Sequence, residues 1–409
     1  MWWMILGSEA GAVTLEEAWA AAEAGPELAS VGALAERSRA DLGAARAALV
    51  PKLQVQGTYT WADEPIVFDL GGVLPAELLA AIGGAPPPIT VQEQDWFEAS
   101  ASLAVPLVDA DAWWTLRAAS LAAEAAGRDV QIARRALQLG VARVFHGAGT
   151  AREGVAVAEQ AVALARTVED VARRRVEAGD APPRTLLEAE QGRLSAERDL
   201  LAAREQLVRA EEALRRLTGL PPGTPLDDAA PASDAAPRPE RAAAEARLAA
   251  ATAARVASRA AWVPDVTAQV RASVTENEGF APDGTFVYAG ATASFTFDGG
   301  YRSSRARAAG ATVALAEAQR TAVDRQLAEE RAVAAASRER AVAAEAAAAR
   351  ELAVAEARLG EAELAFRAGV VPYADLERAA LGRRAAALAV ARERHAAALA
   401  DVELALAGP

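Results

Sequence analysis

Four stretches of the chain alternate apolar and polar residues with a period of two. In the first, Leu53, Val55, Gly57, Tyr59 and Trp61 share one face, and Gln54, Gln56, Thr58 and Thr60 the other. In the second, Phe97, Ala99, Ala101, Leu103, Val105 and Leu107 oppose Glu98, Ser100 and Ser102. In the third, Val266, Ala268, Val270, Ala272 and Val274 oppose Thr267, Gln269, Arg271, Ser273 and Thr275. In the fourth, Val287, Ala289, Ala291, Ala293, Phe295 and Phe297 oppose Tyr288, Gly290, Thr292, Ser294 and Thr296. Side chains alternate across a pleated strand, so strands are predicted over 53–61, 97–108, 265–275 and 285–297. Each is long enough to cross a bilayer tilted, which takes about nine to eleven residues. Tyr59, Trp61, Trp96 and Phe97 cluster at the loop ends, where an aromatic girdle would sit. The same alternation would equally serve a half-buried sheet in a soluble sandwich.

Between and after the strands the period changes to that of a helix. Residues 110–178 and 301–368 contain no proline, and as helices each would extend roughly 100 Å at about 1.5 Å per residue. The returning segments 184–218 and 373–407 are about half as long. On the first of them Leu200, Leu207 and Leu214 repeat every seven residues, as do Leu194, Leu201 and Val208. Two adjacent heptad seams on one helix predict neighbours on both sides, as in a tube of helices. By length, 184–218 with 240–261 matches 110–178, and 373–407 with 14–49 matches 301–368. Each long helix can therefore lie beside two shorter ones placed end to end.

The pattern is written twice. Val50-Pro51 matches Val263-Pro264, Asp109 matches Asp298, and Gly179, Leu186 and Gly192 match Gly369, Leu376 and Gly382 in register. Such repetition marks duplicated structural units. The first repeat is expected over 14–219, with helix 14–49, the first two strands, and helices 110–178 and 184–218. The second is expected over 240–408, with helix 240–261, the last two strands, and helices 301–368 and 373–407. Residues 220–239, with Pro221, Pro222, Gly223, Pro225, Pro231, Pro237 and Pro239, form a connector between them. Gly25-Pro26 interrupts the first helix. Residues 1–12 are expected to be a remnant of a signal segment, or a truncated one, because the basic start and full apolar run of a secretory signal are missing.

Composition narrows the function. Hydrophobic residues make up 52% but aromatics only 5%, with alanine supplying much of the rest, which suits closely approaching helices more than a thick core. The net charge of −13 argues against nucleic acid as a partner, since no basic face exists to neutralise phosphates. With no cysteine, neither disulfides, thiolate metal sites nor a lipidated N-terminal cysteine is expected. No run of 18 or more apolar residues is present, so a membrane would have to be crossed by strands. Four strands cannot close a barrel, and open edges in lipid leave backbone groups unpaired. Three copies would supply twelve strands and two copies eight, so oligomerisation follows if the strands span lipid. No phosphate-binding loop, nucleophile elbow or catalytic carboxylate pair occurs, so neither an enzyme nor a cofactor is expected. His146 and His395 are far apart in the sequence with no partner ligands beside them, which argues against a metal site.

The duplicated strand-strand-helix-helix order is similar to the TolC-like outer membrane efflux family over essentially the whole chain. Arg175-Val176-Glu177-Ala178-Gly179 followed by Leu186-Leu187-Glu188-Ala189 resembles the family's hairpin signature, and Phe366-Arg367-Ala368-Gly369-Val370-Val371-Pro372-Tyr373-Ala374-Asp375-Leu376 resembles it more fully. Phe297-Asp298-Gly299-Gly300 is similar to its strand-to-helix junction. The resemblance implies a mixed α/β membrane protein, with long antiparallel coiled-coil hairpins and four strands per subunit. It implies a homotrimer with a twelve-stranded outer-membrane barrel and a periplasmic helical tube. It also implies a passive exit duct in efflux or type I secretion, working with a periplasmic adaptor and an inner-membrane pump. The hairpin tips, with Gly179, Asp180, Gly369, Val370 and Val371, would meet the adaptor. Asp375, Tyr373 and Arg367 would form the periplasmic constriction. Asp375 could form a carboxylate ring on the trimer axis or merely complement a helix N-terminus. Leu53, Val55, Tyr59, Leu103, Val270, Ala291 and Phe295 would face lipid. The sequence departs from the family at Thr185, where its repeat partner is acidic, and at Arg378, where a second acidic residue often stands. The long Gly- and Pro-rich segment 62–95 reads as an extracellular loop. The competing functions are a periplasmic adaptor, which would carry one hairpin rather than two, and a soluble coiled-coil protein, which would not need the strands.

Overall fold

The computed structural model describes residues 12–227, 238–276 and 284–408. The expected signal remnant and the middle of the proline-rich connector lie outside the described residues. In order the elements are α1 (Leu15–Glu23), α2 (Pro26–Ala47), β1 (Lys52–Trp61), β2 (Ile66–Phe68), α3 (Ala76–Ala81), β3 (Ile89–Gln92), β4 (Asp95–Val108), α4 (Ala110–Glu177), α5 (Pro183–Thr218), α6 (Pro239–Ala260), β5 (Asp265–Thr275), β6 (Thr285–Ser294), α7 (Tyr301–Arg367) and α8 (Tyr373–Ala407). They divide into two compact units. One comprises Met1–Glu36, Ala125–Ala244 and Gln319–Pro409, the other Arg37–Glu124 and Glu245–Ala318.

Local chemistry sets the helix boundaries. Thr14 and Glu17 form a reciprocal capping box at the start of α1. Gly25-Pro26 splits the expected helix 14–49 in two, because Pro26 has no amide hydrogen to continue α1 but suits the first position of α2. The matched aspartates open the two long helices. Asp109 accepts from the Ala112 amide at 3.0 Å, and Asp298 accepts from the Arg302 amide at 3.2 Å. α5 ends at Gly219, whose φ of 74° terminates the helix in the left-handed region.

The second unit carries a four-stranded antiparallel sheet in the order β1-β4-β5-β6. The two repeats join at β4 and β5, and β1 and β6 form the sheet's edges. β4 begins two residues before the predicted start. β6 stops at Ser294 rather than at 297, so Phe295 and Phe297 lie beyond it. Phe295 packs instead against Phe297 and Trp262, with the Arg302 guanidinium 4.7 Å from its ring centre. Segment 62–95 is not bare loop: it holds the small β2-β3 ladder and the short helix α3.

Among the described residues the first unit has two larger apolar cores and a small alanine cluster of Ala341, Ala397 and Ala400. One gathers Leu15, Val141, Phe145, Leu214 and Val402 from α1, α4, α5 and α8. Trp19 donates to the Gln138 carbonyl at its margin, and Val13 bridges in parallel to Leu226 of the connector. The other core lies between the two hairpins and is described next.

Candidate functional site: the hairpin tips and the strand face

The two tips turn in the same way. Gly179 and Gly369 have φ of 80° and 77°, a region that a side chain makes costly. In the first turn the Asp180 amide reaches back to the Arg175 carbonyl at 2.8 Å. In the second the Val370 amide reaches the Ala365 carbonyl at 2.9 Å. Each closure satisfies a carbonyl that a helix end would otherwise leave open. Pro182 and Pro372 then start the returning helices at equivalent positions. Asp180 and Val370 stand exposed at the turns, and Val371 is half-buried.

Behind the turns the hairpins share one core. Val168 and Ala172 of α4, Ala189 of α5, Phe366 of α7, and Tyr373 and Leu376 of α8 are all buried there. A cavity of about 400 Å³ adjoins it, lined in part by Leu164, Gly192, Leu359 and Tyr373. Tyr373 stacks edge-on against Phe366 and presses its hydroxyl onto Gly192, where an added Cβ would lie 1.9 Å from that oxygen. Burial, then the nearby carboxylates Glu377 and Glu188, push its phenol up to about 12. Tyr373 is therefore a core residue that wedges the second hairpin onto the first.

At the tips the hairpins are bridged by Arg175. Its Nη1 donates to the Phe366 carbonyl at 2.8 Å and its Nη2 to the Asp180 carbonyl at 3.4 Å. Its guanidinium lies 5.2 Å from the Phe366 ring centre. One side chain thus caps the ends of α4 and α7 together, where a cation suits the helix dipoles. Arg175 stands in the first hairpin motif, but its reach across to α7 is not visible in sequence. The other expected gate residues make local contacts: Asp375, in the first turn of α8, pairs with Arg378 at 2.8 Å, and Arg367 pairs with Glu363 at 3.6 Å. Arg384 on α8 pairs with Asp199 on α5.

The sheet keeps its faces consistent across all four strands. Leu53, Leu103, Val270 and Ala289 form one continuous row, and Val55, Ala101, Ala272 and Val287 another. Val105, Ala268 and Ala291 continue the same face. Leu53, Val55 and Tyr59 are 65–74% exposed, so this face is uncovered within one chain. The opposite face carries the row Gln54, Ser102, Arg271 and Tyr288, with Arg271 bonded to Glu98 and Ser100. Among the described residues no helix is long and apolar enough to cross a membrane.

His146 and His395 are not isolated from each other. They lie side by side between α4 and α8, with ring centres 5.9 Å apart, because packing brings together residues from distant parts of the chain.

Residues 20–220 match the family model for outer membrane efflux proteins. No curated protein sequence matches the chain. Several solved structures do. A CusC structure, from work on folding and transmembrane channel formation, has 18% identity and a TM-score of 0.81, covering 97% of this chain and 92% of its own. The VceC outer membrane protein of Vibrio cholerae has 19% identity and a TM-score of 0.76, covering 96% of each chain. The open-state MtrE outer membrane channel of Neisseria gonorrhoeae has 20% identity and a TM-score of 0.76, covering 96% of this chain and 88% of its own. These structures share the fold, with its helical hairpins and antiparallel strands. Residues 20–220 therefore belong to the outer membrane efflux protein family, and the second repeat carries the same elements in the fold shared with these outer-membrane channel structures.

Proposed function

We propose that three copies of this chain assemble into the working duct, joining their sheets edge to edge as a twelve-stranded barrel. The observation that carries this reading is the sheet itself. Among the described residues one face is a continuous, uncovered apolar surface, and β1 and β6 are edges with no strand beside them. In lipid those edges need partners, because no water is present to satisfy their amides and carbonyls. α5 adds a second unpartnered surface: Leu187, Leu194, Leu201 and Val208 recur every seven residues and are 53–66% exposed. That spacing is a coiled-coil seam awaiting a helix from a neighbouring copy.

In this reading Leu53, Val55, Tyr59, Leu103, Val270 and Ala291 face lipid, and the Gln54–Arg271 face lines the duct. The tips, with Gly179, Asp180, Gly369, Val370 and Val371, meet a periplasmic adaptor that couples the duct to an inner-membrane pump. Three Asp375 carboxylates narrow the closed end, positioned by the Tyr373 wedge and the Arg367 turn. The duct itself performs no chemistry, and its cargo passes through.

The experiment compares arginine on the two faces of one strand. Val270→Arg should disfavour membrane insertion by ~2–4 kcal/mol near the midplane, whereas Gln269→Arg should insert normally. Insertion and trimer mass in detergent are the readouts. Equal tolerance on both faces, or a monodisperse monomer with an intact sheet, would remove the barrel from the proposal.

A further inference from the structure

The cavity beside the tip core is walled by all four helices of the two hairpins, α4, α5, α7 and α8. Its volume of about 400 Å³ falls among small-molecule sites, which span about 300–1,000 Å³. Leu164 and Val168 of α4, Leu359 of α7, and Leu376 and Leu381 of α8 give it an apolar lining. Water against such a lining finds few partners, so an apolar body displaces it favourably.

The polar groups of the lining are few and mostly committed. Arg384 pairs with Asp199, Arg383 donates to Gln160 Oε1 at 2.9 Å, and Glu363 pairs with Arg367. Two lining groups have no such partner among the described residues, the Glu377 carboxylate and the Tyr373 hydroxyl. Tyr373 is 8% exposed, and Phe366 and Gly192 fix its ring so that the hydroxyl stands at the cavity wall. Glu377 is close to it, since burial and then this carboxylate raise the phenol. Three carboxylates, Asp199, Glu363 and Glu377, against the guanidiniums of Arg383 and Arg384 leave the lining with an excess of negative charge.

We propose that this cavity binds one compact amphipathic organic amine per chain. The apolar body lies among the leucines, and the ammonium donates to the Glu377 carboxylate and the Tyr373 phenol oxygen. An anion of the same shape meets the excess of carboxylates, and a neutral analogue leaves Glu377 without a partner. Because the walls come from both hairpins, the occupant ties the second hairpin to the first beside the Tyr373 wedge. The site lies within one chain, so it stands or falls separately from the twelve-stranded barrel.

The test uses the full chain in a non-ionic detergent, with phenylbutylamine as the probe in calorimetric titration. Phenylbutanol and phenylbutanoate are the matched neutral and anionic controls. We expect saturable binding of one amine per chain, with the alcohol weaker by about three- to fivefold and the acid weaker still. Glu377→Gln should remove the preference for amine over alcohol. Tyr373→Phe, which keeps the ring, should weaken amine binding by about three- to tenfold. Ala380→Leu, which fills the cavity from α8, should abolish saturable binding. The amine should raise the Tm of the unmodified chain and leave that of Ala380→Leu unchanged. Partition into detergent is common to every variant, so equal uptake by the unmodified chain and Ala380→Leu overturns the proposal. No saturable binding, or an acid bound as tightly as the amine, overturns it as well. Should Ala380→Leu fail to assemble, Glu377→Gln decides: loss of the amine preference supports the proposal, and an unchanged preference overturns it.

Discussion

The two hairpins share a backbone and differ in the side chains that act on each other. Both turn at a left-handed glycine, and both restart their helices at a proline in register. Yet Arg175, which reaches across from the first hairpin, has Ala365 as its counterpart in the second. Phe366, which receives it, is matched by Val176. Tyr373, which wedges back onto Gly192, is matched by Pro183, while Gly382, the counterpart of Gly192, meets nothing within 4 Å. Duplication supplied two equal turns, and divergence made one a donor of charge and the other a donor of bulk. Each hairpin holds its partner by a contact the other could not reciprocate.

The asymmetry extends to the faces pointing away from this core. The exposed seam Leu187, Leu194, Leu201 and Val208 on α5 becomes Glu377, Arg384, Ala391 and Ala398 on α8. Among the described residues α8 therefore lacks the exposed leucine stripe that α5 presents. Leu201→Glu should give the largest effect. Each contact would lose roughly 1.5–3 kcal/mol of leucine burial and gain a desolvated carboxylate, repeated at every interface of the assembly. The expected outcome is dissociation in detergent, read as mass by light scattering. An intact trimer would show that the α5 seam faces water or lumen and that assembly rests on the strands.

The next effect tests the bridge. Arg175→Ala removes a charge-assisted hydrogen bond to the Phe366 carbonyl and the stacking on its ring, for a loss of about 1.5–3 kcal/mol. Arg175→Lys should recover only part of this, because an ammonium cannot cap two helix ends and stack at once. Arg184→Ala, in the same hairpin, removes an exposed pair with Glu188 and should cost under about 0.5 kcal/mol. Thermal denaturation of the assembled channel ranks the three. If they are equivalent, Arg175 adds nothing to the apolar core at the tips.

The glycine pair sharpens the comparison further. Gly192→Ala puts a Cβ onto the Tyr373 hydroxyl and should cost about 1–3 kcal/mol through forced displacement of the ring. Gly382→Ala, at the matching place on α8, has open space around it and should stabilise by about 0.5–1 kcal/mol from helix propensity. Opposite signs at repeat-equivalent glycines in the same thermal assay are the expected result. Destabilisation at both would mean that a neighbouring copy covers Gly382.

Much of this was readable along the chain, because it depends on neighbours close in sequence. The strand alternation, the glycine turns and the aspartates that open α4 and α7 are all local signals. What escaped depends on which helices meet. Tyr373 reads as a gate residue beside Asp375 until the fold buries it against Gly192. Arg175 reads as one arginine among three until its reach to α7 is known. β6 ends early because Phe295 finds Trp262 and Arg302, a contact made only after folding. β2 and β3 are three and four residues long and exist only as a pair, which no single-segment periodicity reveals.

The smallest stability effect carries the sharpest functional test, at the pair Asp375 and Thr185. Asp375 lies in the first turn of α8, where its charge complements the helix dipole and meets Arg378 on the same helix. Replacing it with asparagine should cost only about 0.3–1 kcal/mol, because the group is well solvated and its pair is exposed. Selectivity is a different matter. If three tips converge on an axis, three carboxylates share a narrow space, and a bound cation relieves their repulsion. Asp375→Asn should then lower cation preference and weaken block by divalent cations while the trimer stays intact. Thr185→Asp adds a second set of charges at the matching place on the first hairpin. If both hairpins face the axis it should strengthen block, and if only the second does it should have little effect. Single-channel conductance in asymmetric salt, with and without a divalent cation, separates these cases. Unchanged selectivity in Asp375→Asn would leave this residue as a helix-start carboxylate and place the constriction elsewhere along the duct.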